Sequence, residues 1–374
     1  MAAVRIAALR EVSEIERRVA IVPEVAARLV KGGYEVLVEK GAGSRAFFPD
    51  QSYTDVGAKV VARAEAISGS DILAVVDTPD ATLLGATHQG QVIVGLLGAR
   101  SDPAVAQALA DAGVTGIDLA FMPRTLSRTQ TMDALSSQSS VAGYRSVLVA
   151  AEKFSRYMAM MVTAAGTAKP ARVIVLGTGV AGLQAIGTAK RLGAMVQGYD
   201  VRPASRGEVE SLGATFIELQ SVKDAAGEGG YARALTPEEQ AAQQAELEGY
   251  VTANDIVITT AQVPGRKPPV MVTAKAVAEM KAGSVIVDLG CSALGGNVEG
   301  SQPGQTVITD HGVTIIDGSN LAAEMPGSAS SFYSRNIMAL LGILVVDGAI
   351  NVNLEDEVLT AVVVSHDGQN RKAN

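Results

Sequence analysis

The chain has 374 residues, more than one hydrophobic core usually organises, so two domains are expected. A net charge of −8, no tryptophan and 4% aromatic residues exclude a basic nucleic-acid groove and a base-stacking platform. One cysteine and three scattered histidines leave no spacing for an intramolecular disulfide or a zinc site, and no apolar run reaches the ~18 residues that span a bilayer. Met1 to Arg10 lacks the apolar core of a leader, so the expected setting is the cytoplasm, without a membrane span.

Short Val- and Ile-rich runs alternate with Ala-rich helical patterns, the sequence form of parallel strands joined by crossover helices. In the first third, strands are expected at Val4–Leu9, Glu35–Glu39, Asp71–Val76, Gln91–Leu97 and Val114–Leu119. Helices are expected between them at Pro23–Lys31 and Pro103–Asp111, each with proline at its first turn and glycine just past its end. From Leu135 to Ala165 the pattern reads as one long connecting helix, stopped by the Lys169-Pro170 step.

A second series follows, with strands at Val173–Gly177, Met195–Asp200, Thr215–Glu218, Asp255–Ala261, Ser284–Leu289 and Val313–Ile316. Helices are expected at Val180–Leu192 and Thr273–Met280. Between Gln220 and Tyr250 lies a glycine-rich excursion, with a helix resuming at Pro237; insertions of this kind are usually functional or disordered. The helical pattern at Ser331–Val346 returns the chain to the first domain, where Leu354–Ser365 can add a strand. The expected domains are therefore 1–134 with 328–374, and 135–327.

Gly177-Thr178-Gly179-Val180-Ala181-Gly182 matches G-x-G-x-x-G, a weak signal alone among 39 glycines. Its setting strengthens it, because it follows a strand directly and opens a helix. Gly177 can make the tight turn, Gly179 can admit a pyrophosphate, and Gly182 can bring the helix close to the strand. The helix N-terminus then offers N–H groups to the phosphates. The next strand ends in Asp200, at the distance where an acid binds ribose hydroxyls; its carboxylate favours NAD over NADP. Arg202 complicates this, since an arginine there can pair with a 2′-phosphate, with pyrophosphate, or with solvent. The expected architecture is α/β: two Rossmann-like doubly wound parallel-sheet domains separated by a cleft.

An NAD enzyme that oxidises an alcohol or amine must also move a proton, and the acid or base for that is hard to find here. His88, His311 and His366 read as surface residues, and Gly95-Leu96-Leu97-Gly98 carries no titratable group. The densest polar cluster is Arg124-Thr125-Leu126-Ser127-Arg128-Thr129-Gln130-Thr131-Met132-Asp133, followed by Ser136, Ser137, Gln138 and Tyr144. It is either a capped helix start or a site offering an amide, a carboxylate and hydroxyls at a domain boundary, without an evident base.

The run Arg128–Gln138, with Ala142-Gly143-Tyr144, resembles the RQD loop of the NAD(H)-binding alpha components of proton-translocating NAD(P) transhydrogenases. Thr163–Thr167, Gly179–Ala185, Ala189–Ala194, Thr259-Thr260-Ala261, Val263-Pro264-Gly265 and Gly295-Gly296-Asn297 resemble the same family, so the likeness covers nearly the whole chain. The resemblance implies that Gln130, Asp133 and Ser136 hold the nicotinamide half. Arg124 or Arg128 is the loop arginine, with Arg124 favoured. It further implies nucleotide contacts by Tyr144, Gly177, Gly179, Val180, Ala181, Gly182, Asp200, Val201, Arg202, Thr260, Ala261 and Gln262, and a closing mobile loop carrying Tyr231.

The implied reaction is direct hydride transfer from NADH to NADP+ on a separate NADP(H)-binding domain, coupled to proton movement through membrane subunits. The chain is expected as a homodimer held at the inner face of the membrane by those partners. Hydride passing between two nicotinamides exchanges no substrate proton, which accounts for the missing base. Alanine dehydrogenases share the plan but carry a lysine and a histidine where this chain has Ile72–Asp77 and Gly95–Gly98. Such an enzyme, or a non-catalytic NAD(H) sensor, is the alternative. Gly290-Cys291-Ser292-Ala293-Leu294 and Gln262 depart from the transhydrogenase pattern.

Overall fold

The computed structural model describes residues 3–222, 237–262 and 267–373. The first segment runs β1 (Arg5–Ala8), α1 (Pro23–Lys31), β2 (Glu35–Glu39), α2 (Asp50–Thr54), β3 (Lys59–Val61), α3 (Arg63–Ser68), β4 (Ile72–Ala74), α4 (Ala81–Ala86), β5 (Val92–Gly95), α5 (Pro103–Asp111) and β6 (Thr115–Asp118). Helix α6 (Ala134–Lys153) and a hairpin of β7 (Met161–Thr163) and β8 (Gly166–Ala168) lead to β9 (Arg172–Leu176), α7 (Val180–Arg191), β10 (Met195–Tyr199), α8 (Arg206–Ser211) and β11 (Thr215–Phe216). Then come α9 (Pro237–Thr252), β12 (Ile256–Thr259), α10 (Ala274–Glu279), β13 (Val285–Asp288), β14 (Thr306–Ile308) and β15 (Thr314–Asp317). The chain ends with α11 (Pro326–Leu344), β16 (Val345–Val346), β17 (Ala349–Ile350), α12 (Glu357–Val362), β18 (Val363–His366) and β19 (Gln369–Asn370).

Two compact units result, one of Met1–Gln138 with Ala322–Asn374 and one of Ser139–Leu321. In the first, the described strands form a sheet in the order β19-β18-β6-β5-β4-β1-β2-β3, parallel from β3 to β6. Side chains alternate across it, as period-2 geometry requires. Ile6, Val38, Val94 and Ile117 meet α1 and α11 through Leu29, Ile337 and Leu340, whereas Ala7, Leu73 and Ile93 meet α3 and α5 through Ile67 and Leu109. The direction of strand order reverses between β1 and β4.

In the second unit the described strands form a sheet in the order β11-β10-β9-β12-β13-β15-β14, and among them only the edge strand β14 is antiparallel. Val173, Val175, Ile258 and Val287 pack on α6 and α7, while Ile174, Leu176, Val257 and Ile286 pack on α9 and α10. Both units are parallel-sheet α/β domains of the expected doubly wound class, and the switch point of the second lies between β9 and β12.

The expected helix from Leu135 to Ala165 is corrected: α6 stops at Lys153, and Met161–Ala168 is a hairpin. Composition misleads there because Ala and Met are common in helices. The turn is set by Gly166 at φ 128° and by Ala165 N donating to Thr163 Oγ1 at 3.1 Å. Strands β3 and β14, three residues each, carry too little pattern to be expected from sequence. Among the described residues no helix is long and apolar enough to cross a membrane.

Candidate functional site

In the second unit the switch point holds the glycine-rich turn. Gly177 leaves β9 at φ 94°, a left-handed conformation that a side chain disfavours. A Cβ on Gly182 would lie 1.9 Å from the Gly177 carbonyl oxygen, so α7 can start this close to the strand only with glycine there. Gly179 differs: a Cβ on it would meet no atom within 4 Å. Packing within the chain therefore gives no reason for its missing side chain. It lies open at the N-terminus of a 12-residue helix that no side chain caps. This cradle fits a pyrophosphate, which needs close backbone approach and helix N–H groups. Val180 and Ala181 begin the helix, half-buried beside it.

Asp200 follows β10 and faces the same turn. Its Oδ2 accepts from Thr178 N at 2.8 Å and Thr178 Oγ1 at 3.1 Å. Arg202 donates to it through its backbone N at 2.9 Å and through a two-pronged fork, Nε at 2.9 Å and Nη2 at 3.0 Å. Burial pulls the Asp200 carboxyl upward, but the Arg202 fork and the Thr178 and Arg202 amides outweigh it. The group is held below its usual range and stays ionised. Val201 between them is exposed.

Across the switch point, Thr260 Oγ1 donates to the Gly177 carbonyl at 2.9 Å, tying the two strand ends together. Asn297 Nδ2 donates to the carbonyls of Ala261 and Pro269, both at 2.8 Å, and Gln262 Nε2 donates to Leu289 O at 2.6 Å. Gln262 thus braces the loop behind β13 through its amide. Asp288, fully buried, accepts from Thr259 Oγ1 and Gly290 N, each at 2.9 Å, and burial pushes its carboxyl up. Sequence reading missed this Asp288–Asn297 support because its members are nine residues apart and act through backbone. Cys291 is buried, and burial raises its thiol. Tyr144 stands partly exposed on α6, while Tyr231 and Val263-Pro264-Gly265 lie outside the described residues.

The polar loop belongs to the first unit. A 3-10 turn at Ser127–Met132 leads into α6. Arg124 donates through Nε to Asp133 Oδ2 at 3.2 Å and through Nη2 to Ser136 Oγ at 2.9 Å. Asp133 in turn accepts from Ser136 N at 2.8 Å and Ser136 Oγ at 2.5 Å. Gln130 is exposed at the turn. Arg128 faces elsewhere: it forks onto Asp356 at 3.0 and 3.1 Å and reaches Glu357 at 3.2 Å, where Asp356 also caps α12. Geometry thus groups Arg124, not Arg128, with Asp133 and Ser136.

The loop is held from the returning helix. Asn336 Nδ2 donates to Thr131 O at 2.8 Å, and Ser137 Oγ donates to Asn336 Oδ1 at 2.7 Å. Behind it, Arg18 pairs with Glu16 at 2.7 Å and donates to Gln138 Oε1 at 2.8 Å. Glu11 accepts from Val76 N at 2.7 Å, and the buried Tyr333 donates to Val75 O at 2.8 Å. No local pattern signals this cluster, whose members span Glu11 to Tyr333.

At the C-terminal ends of β4 and β5 the side chains are aliphatic: Val75, Val76 and Leu97 are all at most 2% exposed. The Asp118 carboxylate nearby accepts from Leu97 N at 3.2 Å and Ala99 N at 2.9 Å, so its oxygens shape a turn. His88 bonds to the carbonyls of Ser70 and Gln89, before β4 and β5, at the opposite strand ends. His366 bonds to Thr115 Oγ1 at 2.9 Å.

Residues 7–142 match the N-terminal domain model, and residues 146–373 the C-terminal domain model, of the alanine dehydrogenase/PNT family. The chain is 43% identical over 370 residues to an NAD(P) transhydrogenase subunit alpha polypeptide of Rickettsia prowazekii, covering 98% of this chain and 95% of that one. It superposes on the crystal structure of transhydrogenase from Sinorhizobium meliloti with a TM-score of 0.88 and 39% identity, over 98% of this chain and 99% of that one. An alanine dehydrogenase of Mycobacterium tuberculosis is 32% identical over 301 residues, 78% of this chain and 74% of that one. The chain therefore belongs to the alanine dehydrogenase/PNT family, and within it to the NAD(P) transhydrogenase alpha subunits.

Proposed function

We propose that the chain is the NAD(H)-binding component of a proton-translocating NAD(P) transhydrogenase. The observation that carries this is the Gly179 cradle beside an ionised Asp200, combined with a polar loop of Arg124, Gln130, Asp133 and Ser136. Bound NADH supplies a hydride for NADP+ on a partner domain, with proton movement through membrane subunits.

Gly177, Gly179 and Gly182 with Val180 and Ala181 seat the pyrophosphate, Asp200 takes the ribose hydroxyls, and Thr260, Ala261 and Gln262 line the nucleotide. Val201, Tyr144 and Tyr231 complete the nucleotide contacts, with Arg202 bordering the ribose through its fork on Asp200. In the loop, Gln130 and Asp133 hold the nicotinamide end, and Arg124 and Ser136 fix the Asp133 carboxylate by direct hydrogen bonds. These are positioning effects, sufficient where no proton is exchanged with the substrate. Ile72–Asp77 and Gly95–Gly98 hold neither the lysine nor the histidine that alanine dehydrogenases carry there, which speaks against an amino-acid dehydrogenase. Domains of 1–134 with 328–374 and of 135–327 serve as the loop-bearing and nucleotide-bearing halves.

The chain acts at the inner face of the membrane beside its partners, as a homodimer. Exposed Tyr157, Met160, Met161 and Val162, on and before the β7–β8 hairpin, support self-association. The test combines purified chain with the membrane and NADP(H)-binding subunits. NADH-dependent reduction of NADP+ is expected only in the mixture; alanine-dependent NADH formation by this chain alone would overturn the proposal in favour of a dehydrogenase.

A further inference from the structure

Asp200 has more donors than a carboxylate can serve. Thr178 supplies two, through N and Oγ1, and Arg202 supplies three, through N, Nε and Nη2, all within 3.1 Å. Five donors thus face about four lone-pair positions. A ribose diol that binds this carboxylate brings further donors and can enter only if present ones leave. Thr178 is fully buried, and the Arg202 amide is part of the backbone turn. The Arg202 guanidinium, on a side chain 61% exposed, is the partner able to swing away.

We propose that Arg202 sets how strongly the site separates NAD(H) from NADP(H), by competing with the ribose diol for Asp200 and, once displaced, pairing with a 2′-phosphate. The inference rests on the nucleotide site proposed above. Binding of NADH breaks a bidentate fork and returns no equivalent partner to the guanidinium. Binding of NADPH breaks the same fork but offers a phosphate that the planar donor pair matches. Arg202 therefore weakens the preference for NADH that Asp200 alone would impose.

The experiment measures Kd for NADH and NADPH by nucleotide fluorescence on the whole chain, unaltered and as Arg202→Ala and Arg202→Lys. Arg202→Ala is expected to bind NADH more tightly and NADPH more weakly, raising the ratio of Kd for NADPH to Kd for NADH by about tenfold or more. Arg202→Lys should lie between, since an ammonium offers charge without the fork. An unchanged or lowered ratio in Arg202→Ala, with NADH still bound, overturns the inference alone. Failure of the unaltered chain to bind either nucleotide overturns it together with the nucleotide site.

Discussion

Gly179→Ala separates a ligand requirement from a folding requirement. Gly179 has φ −74° and ψ −165°, an extended conformation open to alanine, and its new Cβ would meet nothing within 4 Å. Stability should therefore hold, or rise by about 0.4–1 kcal/mol through the unfolded state. A bound pyrophosphate resting on that backbone would be pushed back by the methyl group. Overpacking of this kind costs about 1–3 kcal/mol, or roughly 5- to 150-fold in Kd. Gly182→Ala is the control, because its Cβ falls 1.9 Å from Gly177 O and 2.9 Å from that carbonyl carbon. There the backbone itself must shift, and both melting temperature and binding should fall. Fluorescence titration with NADH and a thermal melt read the two effects on each variant. A Gly179→Ala chain with unaltered NADH affinity would refute the assignment of the cradle.

Burial pushes the Glu11 carboxyl up to about 7 from 4.5, so the folded chain keeps a proton that the unfolded chain has released. Stability should fall as pH rises from 4.5 to about 7 and level off above, by roughly 3 kcal/mol in all. Glu11→Gln should flatten that slope in urea unfolding between pH 5 and 8; an equal slope in the variant would refute the assignment. Arg124→Ala should lower reconstituted hydride transfer by about tenfold or more while the chain stays folded, since Asp133 and Ser136 lose their shared donor. Arg128→Ala should instead shift the thermal melt in a salt-dependent way, through Asp356 and Glu357, and leave transfer intact. The reverse pattern would return the loop role to Arg128. Charges placed by Met161→Glu and Val162→Glu on the exposed hairpin should convert a dimer to monomer in light scattering, and a dimer unmoved by both would place the interface elsewhere.

Where sequence pattern and local physics coincide, the fold was legible. The run Arg172–Gly182 displays strand, turn and helix in one stretch, because steric demands at Gly177 and Gly182 act within a few residues. Helices α1 and α5 were equally plain, each starting at proline. Met161–Ala168 was not, since the hairpin depends on one glycine turn against a helix-like composition. In the loop, Arg124 and Arg128 are alike in sequence. Only the tertiary pairing of Arg128 with the cap of α12, 228 residues away, tells them apart. The support of Asp288 and Asn297, nine residues apart, and the Arg202 fork on Asp200, two residues away, were hidden for another reason: side-chain geometry, not spacing, decides which donors a carboxylate takes.

Direct transfer between nicotinamides is tested most closely by isotope. NADH carrying deuterium at the transferred position of nicotinamide C4 is mixed with the chain, its membrane and NADP(H)-binding partners, and NADP+ in ordinary water. The account predicts NADPH that retains the deuterium in full, and no transfer when the partners are omitted. Loss of the label to solvent would contradict it, as would NADH consumption by this chain alone with pyruvate and ammonia.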